Sequence, residues 1–235
     1  MESGLRRIIG GSADATATEH YMTWLWIGGW GVAPEWMERQ AASVFPGIRH
    51  YVVPPDPEGG WRGQRGSYNR LIGYSLGAFL LLRAEQEKPS GRPLGLLAHF
   101  FAFPAEAGLG GRVPLTRLRY LDRWFRREPD AALRDFYRRA GLSDMGEGDP
   151  FPYPREILSA GLTTLLEGRL EPRIPGGTTV LAGEEDPLLD TARLQALYPE
   201  VYCVAGAGHH PVPLIQALSR YWSTDDEYPG GARGQ

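Results

Sequence analysis

The chain has 235 residues, 42% hydrophobic and 23% charged, enough apolar side chain for the core of one large domain or two small ones and no case for disorder. A net charge of −3 and a pI near 6.0 exclude a globally basic nucleic-acid binder, and one cysteine, Cys203, excludes an intramolecular disulfide or a cysteine zinc site. The longest mostly apolar stretch, Leu94 to Phe103, falls far short of the ~20 residues of a membrane-spanning helix.

Residues 1–20 have weak periodicity and are expected to form a loose arm or a poor edge strand. Arg6 and Arg7 precede only Ile8–Ile9, too short for the apolar region of a secretory signal, so a reducing, cytoplasmic location is expected. Tyr21 to Ile27 (YMTWLWI) reads as a buried strand bounded by Gly28–Gly29. Pro34 is well placed as a first helical residue, with Trp36, Met37, Ala41 and Val44 on one face before Phe45-Pro46-Gly47 stops the helix. Ile48 to Val53 is a second strand, and the Gly/Pro-rich residues 54–66 read as a loop. Leu71 to Tyr74 is a third strand, entering Gly73-Tyr74-Ser75-Leu76-Gly77 and then an apolar helix through Ala78, Leu81 and Leu82. Pro93 to Phe103 reads as one nearly continuous apolar strand, as expected when both faces of a sheet are covered.

Residues 106–172 break this alternation and read as three helices with no strand: Leu115–Arg127, Asp130–Ala140, capped by Asp130 and ended by Gly141, and Arg155–Glu167, ended by Gly168. In the first, Leu118, Leu121, Trp124 and Phe125 share a face while Arg119, Arg123, Arg126 and Arg127 lie largely off it. Strands follow at Thr178–Ala182 and Val201–Val204, with helices at Pro187–Leu197 and Pro213–Trp222. This pattern predicts an α/β fold: a mostly parallel central sheet flanked by helices, its core drawn from residues 21–105 and 173–223, with 106–172 as a helical lid and 224–235 as a mobile tail.

Charge is uneven. Between Arg112 and Arg139 nine arginines face four acids, on a chain that is acidic overall, which suggests an anionic partner for the lid; a solvated helix face is the plainer reading. Arg134 and Arg138 belong to the same group as Arg119, Arg123, Arg126 and Arg127.

The sharpest chemical signal is Gly73-Tyr74-Ser75-Leu76-Gly77, which follows a strand and opens a helix. A turn that tight tolerates no side chain at its flanks, and it lifts a serine hydroxyl above the sheet edge in front of the first helical N–H groups. Serine needs a base to become a nucleophile. Candidates stand after the last two strands: Asp186, with Glu184 and Glu185 as alternatives, for the carboxylate, and His209, with His210 competing, for the base. The glycine before His209 suits a loop that turns a ring inward. His99, read as mid-strand, is expected to be a hydrogen-bonded core residue. The N–H of Leu76 and that of Trp30, in Gly28-Gly29-Trp30-Gly31, are the candidate oxyanion donors. No histidine spacing matches a metal motif, and no metal or cofactor is expected.

Together these pieces resemble the α/β-hydrolase superfamily over about residues 21–222. More narrowly, Gly29-Trp30-Gly31, Ala33-Pro34-Glu35-Trp36, the Ser75 motif, the lid and Gly208-His209 resemble the pimeloyl-acyl-carrier-protein methyl ester esterases of biotin synthesis, as does the compact layout with only 17 residues between Val53 and Leu71. The histidine common before the oxyanion glycine in that family is Gly28 here. The resemblance implies a serine carboxylesterase acting on a methyl ester carried by an acyl carrier protein, which would dock on the lid arginines. Thioesterase, lipase or acyltransferase chemistry on the same residues, and a catalytically silent scaffold binding an acidic partner, are the alternatives. A monomer is expected, with no nucleic-acid or membrane partner.

Overall fold

A computed structural model describes residues 22–146 and 151–222, so the expected arm at 1–20 and tail at 224–235 lie outside the described residues. The chain opens with β1 (Thr23–Ile27), buried from Trp24 onward, and α1 (Pro34–Val44), which starts on Pro34 and buries Met37 and Ala41. There follow β2 (Arg49–Val53), a single turn α2 (Trp61–Gln64), β3 (Arg70–Tyr74) and α3 (Leu76–Glu87). After β4 (Leu94–Leu97) come two short strands, β5 (Ala102–Pro104) and β6 (Gly110–Val113). Then come α4 (Leu115–Arg127), α5 (Pro129–Ala140) and α6 (Arg155–Glu167). The chain returns through β7 (Thr179–Gly183), α7 (Thr191–Leu197), β8 (Val201–Val204) and α8 (Pro211–Leu218).

Six strands form one parallel sheet in the order β2-β1-β3-β4-β7-β8. The chain steps outward from β1 to β2, then crosses back to β3 on the other side. That reversal leaves a crevice at the carboxyl ends of β1 and β3, where an open parallel sheet receives ligands. Both strands are buried on both faces, which is why they read as apolar runs and not as alternation. Among the described residues no helix is long and apolar enough to cross a membrane.

Seven sequence expectations change. The expected loop at 54–66 contains α2 and a following 3-10 turn, and Arg65 is buried there. Its Nε donates to Glu85 Oε1 at 2.7 Å, and its Nη2 donates to the carbonyls of Ala84 and Lys88, at 3.1 and 2.8 Å, so the segment closes the end of α3. The expected strand Pro93–Phe103 breaks after Leu97, because Ala98 turns at φ 50°. Phe100, Phe101 and Phe103 are buried all the same, so apolar character carried no mark of the break. His99 is therefore not mid-strand, and neither ring nitrogen has a partner among the described residues; burial pushes its pKa down to about 3. The lid contains a strand after all, β6, which pairs with β5. β6 also binds the chain after β7: the N–H of Arg112 donates to the Leu188 carbonyl and that of Asp190 to the Gly110 carbonyl, each at 2.9 Å. These bonds hold 188–190 extended, so the expected helix from Pro187 begins only at Thr191, capped by Asp190. The last helix, expected over Pro213–Trp222, instead begins and ends early, at Pro211 and Leu218. Asp130 lies inside the first turn of α5, whose first residue is Pro129, and does not cap it.

Candidate active site

β3 runs buried to Tyr74, and the chain turns through Ser75 into α3 at φ 53°, ψ −117°. An L residue holds that conformation only where its surroundings enforce it. The flanking glycines make the turn possible: a Cβ on Gly73 would lie 2.4 Å from the Ala78 Cα, and one on Gly77 would lie 2.1 Å from the Ile27 carbonyl oxygen.

Two loops from neighbouring strands meet Ser75. The loop after β7 is laced to the loop after β8 by the N–H of Glu184 on the Val204 carbonyl (3.1 Å) and that of Glu185 on the Ala207 carbonyl (2.9 Å). Asp186 thereby comes to His209: Asp186 Oδ2 is 2.7 Å from His209 Nδ1, and His209 Nε2 is 3.0 Å from Ser75 Oγ. Ser75, Asp186 and His209 are all buried. Asp186 Oδ1 accepts the Leu188 N–H at 2.8 Å, so both carboxylate oxygens are engaged. The carboxylate sets the tautomer: Nδ1–H donates to Asp186, and Nε2 accepts from the Ser75 hydroxyl. Such a chain can take a proton from serine and carry a buried positive imidazole.

The alternatives lie elsewhere. Glu184 and Glu185 are exposed and bond no histidine among the described residues. His210 caps α8 by accepting the Val212 N–H on Nδ1 at 3.3 Å, and its Nε2 lies 3.2 Å from Asp144 Oδ2. The Gly28–Gly31 loop lies against the serine, since a Cβ on Gly29 would sit 3.4 Å from that of Ser75. Neither the Trp30 nor the Leu76 N–H donates to a group among the described residues. The Trp30 ring is buried edge-on against Phe136, centroids 4.7 Å apart.

Three residues that sequence reasoning passed over also belong here. Tyr74, fully buried, donates from its hydroxyl to the His209 carbonyl at 2.5 Å. Burial, then the nearby Asp186 charge, raises its pKa well above the ordinary phenol value, so it stays a neutral donor. Tyr137 and Tyr153, from the lid, reach the Gly28–Gly31 loop. Nothing in the sequence separates them from aromatic core residues.

Beyond Phe136 lies a cavity of about 450 Å³, floored by Trp124, Phe136 and Leu188 and rimmed by Arg112, Arg117 and Arg139; Ser75 and His209 do not line it. Of the lid arginines singled out from sequence, Arg126 pairs with Asp122 and Arg138 with Asp135. Arg119, Arg123, Arg127 and Arg134 are exposed with no carboxylate partner among the described residues. Also among the described residues, no three His, Cys, Asp or Glu side chains gather as a metal site would require.

No family model and no curated protein matches the chain. Solved structures do. A hydrolase from Pseudomonas aeruginosa is 14% identical with a TM-score of 0.61, over 90% of this chain and 91% of that one. The deformylase Nfo from Pseudomonas putida is 14% identical with a TM-score of 0.57, over 85% and 92%. The bottromycin epimerase BotH is 14% identical with a TM-score of 0.55, over 86% and 89%. The chain has the α/β-hydrolase fold. Because one of these neighbours is named as an epimerase, the fold leaves the chemistry open, and the function must be argued from the site.

Proposed function

We propose that the chain is a serine ester hydrolase. The observation that carries this reading is the buried relay Ser75–His209–Asp186, at 3.0 and 2.7 Å, beginning on a serine held at φ 53°. Ser75 Oγ attacks the ester carbonyl carbon as its proton passes to His209 Nε2, and Asp186 holds the imidazolium that results. The N–H groups of Leu76 and Trp30 receive the negative charge on the carbonyl oxygen. The imidazolium then gives its proton to the departing alcohol. Water, deprotonated by His209, attacks the acyl-enzyme; the acid leaves and Ser75 recovers its proton.

For the substrate, the reading is a pimeloyl methyl ester on its acyl carrier protein, cleaved to the free carboxylate and methanol. It is supported by the sequence resemblance and by exposed Arg119, Arg123, Arg127 and Arg134, without a carboxylate partner among the described residues, which suit an acidic carrier. The first test is Ser75→Ala: turnover of p-nitrophenyl acetate should fall by roughly 10⁴-fold or more with the circular dichroism spectrum unchanged. Turnover retained in that variant overturns the serine mechanism. A wild-type chain that a fluorophosphonate probe leaves unlabelled is the silent scaffold. Methanol release from the carrier-bound methyl ester tests the substrate, and preference for a thioester makes the chain a thioesterase.

A further inference from the structure

The lid grips the loop in front of Ser75 through two phenol oxygens, which bond its backbone from Gly29 to Gly31. Tyr153, just ahead of α6, accepts the Gly31 N–H at 2.7 Å and donates to the Gly29 carbonyl oxygen at 3.3 Å. Tyr137, on α5, donates to the Gly31 carbonyl oxygen at 2.6 Å. A third lid contact runs the other way, from the Trp30 indole N–H to the Leu158 carbonyl on α6 at 2.8 Å. Both phenols are buried, and burial raises their pKa values, so they remain neutral donors.

The geometry matters because the Gly29 carbonyl and the Trp30 N–H belong to the same planar trans peptide, pointing opposite ways. Whatever fixes the carbonyl aims the N–H. Two groups among the described residues reach that carbonyl, the Val32 N–H at 3.2 Å and the Tyr153 hydroxyl from the lid. Gly31, next in line at φ 78°, has both its N–H and its carbonyl taken by the lid. A loop of glycines has many conformations to lose, and these bonds select one.

We propose that Tyr137 and Tyr153 are positioning residues of the oxyanion hole, aiming the Trp30 N–H, so that the hole is complete only when the lid is seated. The proposal rests on the reading of Ser75 as nucleophile. Removing an oxyanion donor outright costs about 10²–10³-fold in kcat, so loosening one that remains should cost less. Tyr153→Phe and Tyr137→Phe keep the rings and remove the hydroxyls. Each should lower kcat for p-nitrophenyl acetate about tenfold, with KM within about twofold. The inhibition constant of an alkyl boronic acid, whose adduct on serine mimics the tetrahedral intermediate, should rise by the same factor. The pH dependence of kcat should stay where it is, because His209 keeps its bonds to Ser75 and Asp186. Tyr51→Phe, on an exposed ring of β2, is the control and should match wild type.

Unchanged kcat and boronate affinity in both variants overturn the proposal, as does a shifted pH midpoint, which would route the effect through His209. A fall in kcat that tracks lost thermal stability while boronate affinity holds also overturns it, leaving the tyrosines a structural role. If Tyr153→Phe does not fold, Tyr137→Phe decides. An inert wild-type chain defeats the hydrolase reading itself; an active one with indifferent variants defeats only the role given to the tyrosines.

Discussion

Asp186 shows how much one side chain decides. Its Oδ1 is committed to the Leu188 N–H, so an asparagine in its place would keep its carbonyl there and turn its NH₂ toward His209 Nδ1. That group donates, so the imidazole proton moves to Nε2 and faces the Ser75 hydroxyl with nothing to accept its proton. Asp186→Asn should therefore lower kcat by about 10³–10⁴-fold with little change in fold. A loss within about tenfold would mean that the carboxylate does not set the tautomer. His99 is a second residue with a measurable signature. Its folded pKa, about 3, lies below the unfolded value of 6.5, so the unfolded chain binds the proton first as pH falls. The stability tied to neutral His99 is whole above about pH 6.5 and is lost between there and pH 3. His99→Leu should flatten the acid limb of urea-measured stability by a few kcal/mol, about 1.4 for each pH unit below 6.5. An unchanged limb would show that His99 is not what protonates.

At the scale of elements, the β3–α3 junction and the segment that closes α3 show two ways in which a helix is held. Gly77 allows α3 to begin against the end of β1, and a methyl there meets the Ile27 carbonyl, which cannot move without breaking the sheet. At the other end, Arg65 satisfies buried Glu85, the Ala84 carbonyl of α3 and the carbonyl of Lys88, which follows the helix. Arg65→Ala leaves the Glu85 carboxylate buried without its cation and should cost about 3–5 kcal/mol in urea unfolding. The neighbouring pair Arg62–Glu87 is far more exposed, and Arg62→Ala should cost less than about 1 kcal/mol. Equal costs would remove burial as the reason for the difference.

Over the whole molecule, charge and topology divide the work. The sheet reversal sets the Gly28–Gly31 loop beside Ser75, and the lid closes over both. Within the lid, Asp122 pairs with Arg126 and Asp135 with Arg138 and Arg139. Arg119, Arg123, Arg127 and Arg134, exposed and without a carboxylate partner among the described residues, would attract an acidic carrier through a field that salt screens. Reversing Arg119, Arg123 and Arg127 to glutamate should raise KM for carrier-bound esters at low salt, with the gap narrowing as salt rises, and leave p-nitrophenyl acetate untouched. Equal losses on both substrates would take the carrier away from this surface.

The sequence alone determined the parallel α/β core and the short list of chemical residues, because buried parallel strands, helix caps and a glycine-bounded serine are local features written in adjacent residues. It named Ser75, offered three carboxylates and two histidines, and stopped there. Which of them meet was decided by tertiary structure: Asp186 and His209 reach Ser75 because backbone bonds lace two loops more than a hundred residues beyond it. The same holds for β6, whose pairing with residues 188–190 shortened a helix that local pattern favoured, and for Tyr137 and Tyr153, whose hydroxyls find the Gly29–Gly31 backbone only across the lid interface. Hydrogen bonds between distant segments leave no periodicity in the chain, and only the folded molecule shows them.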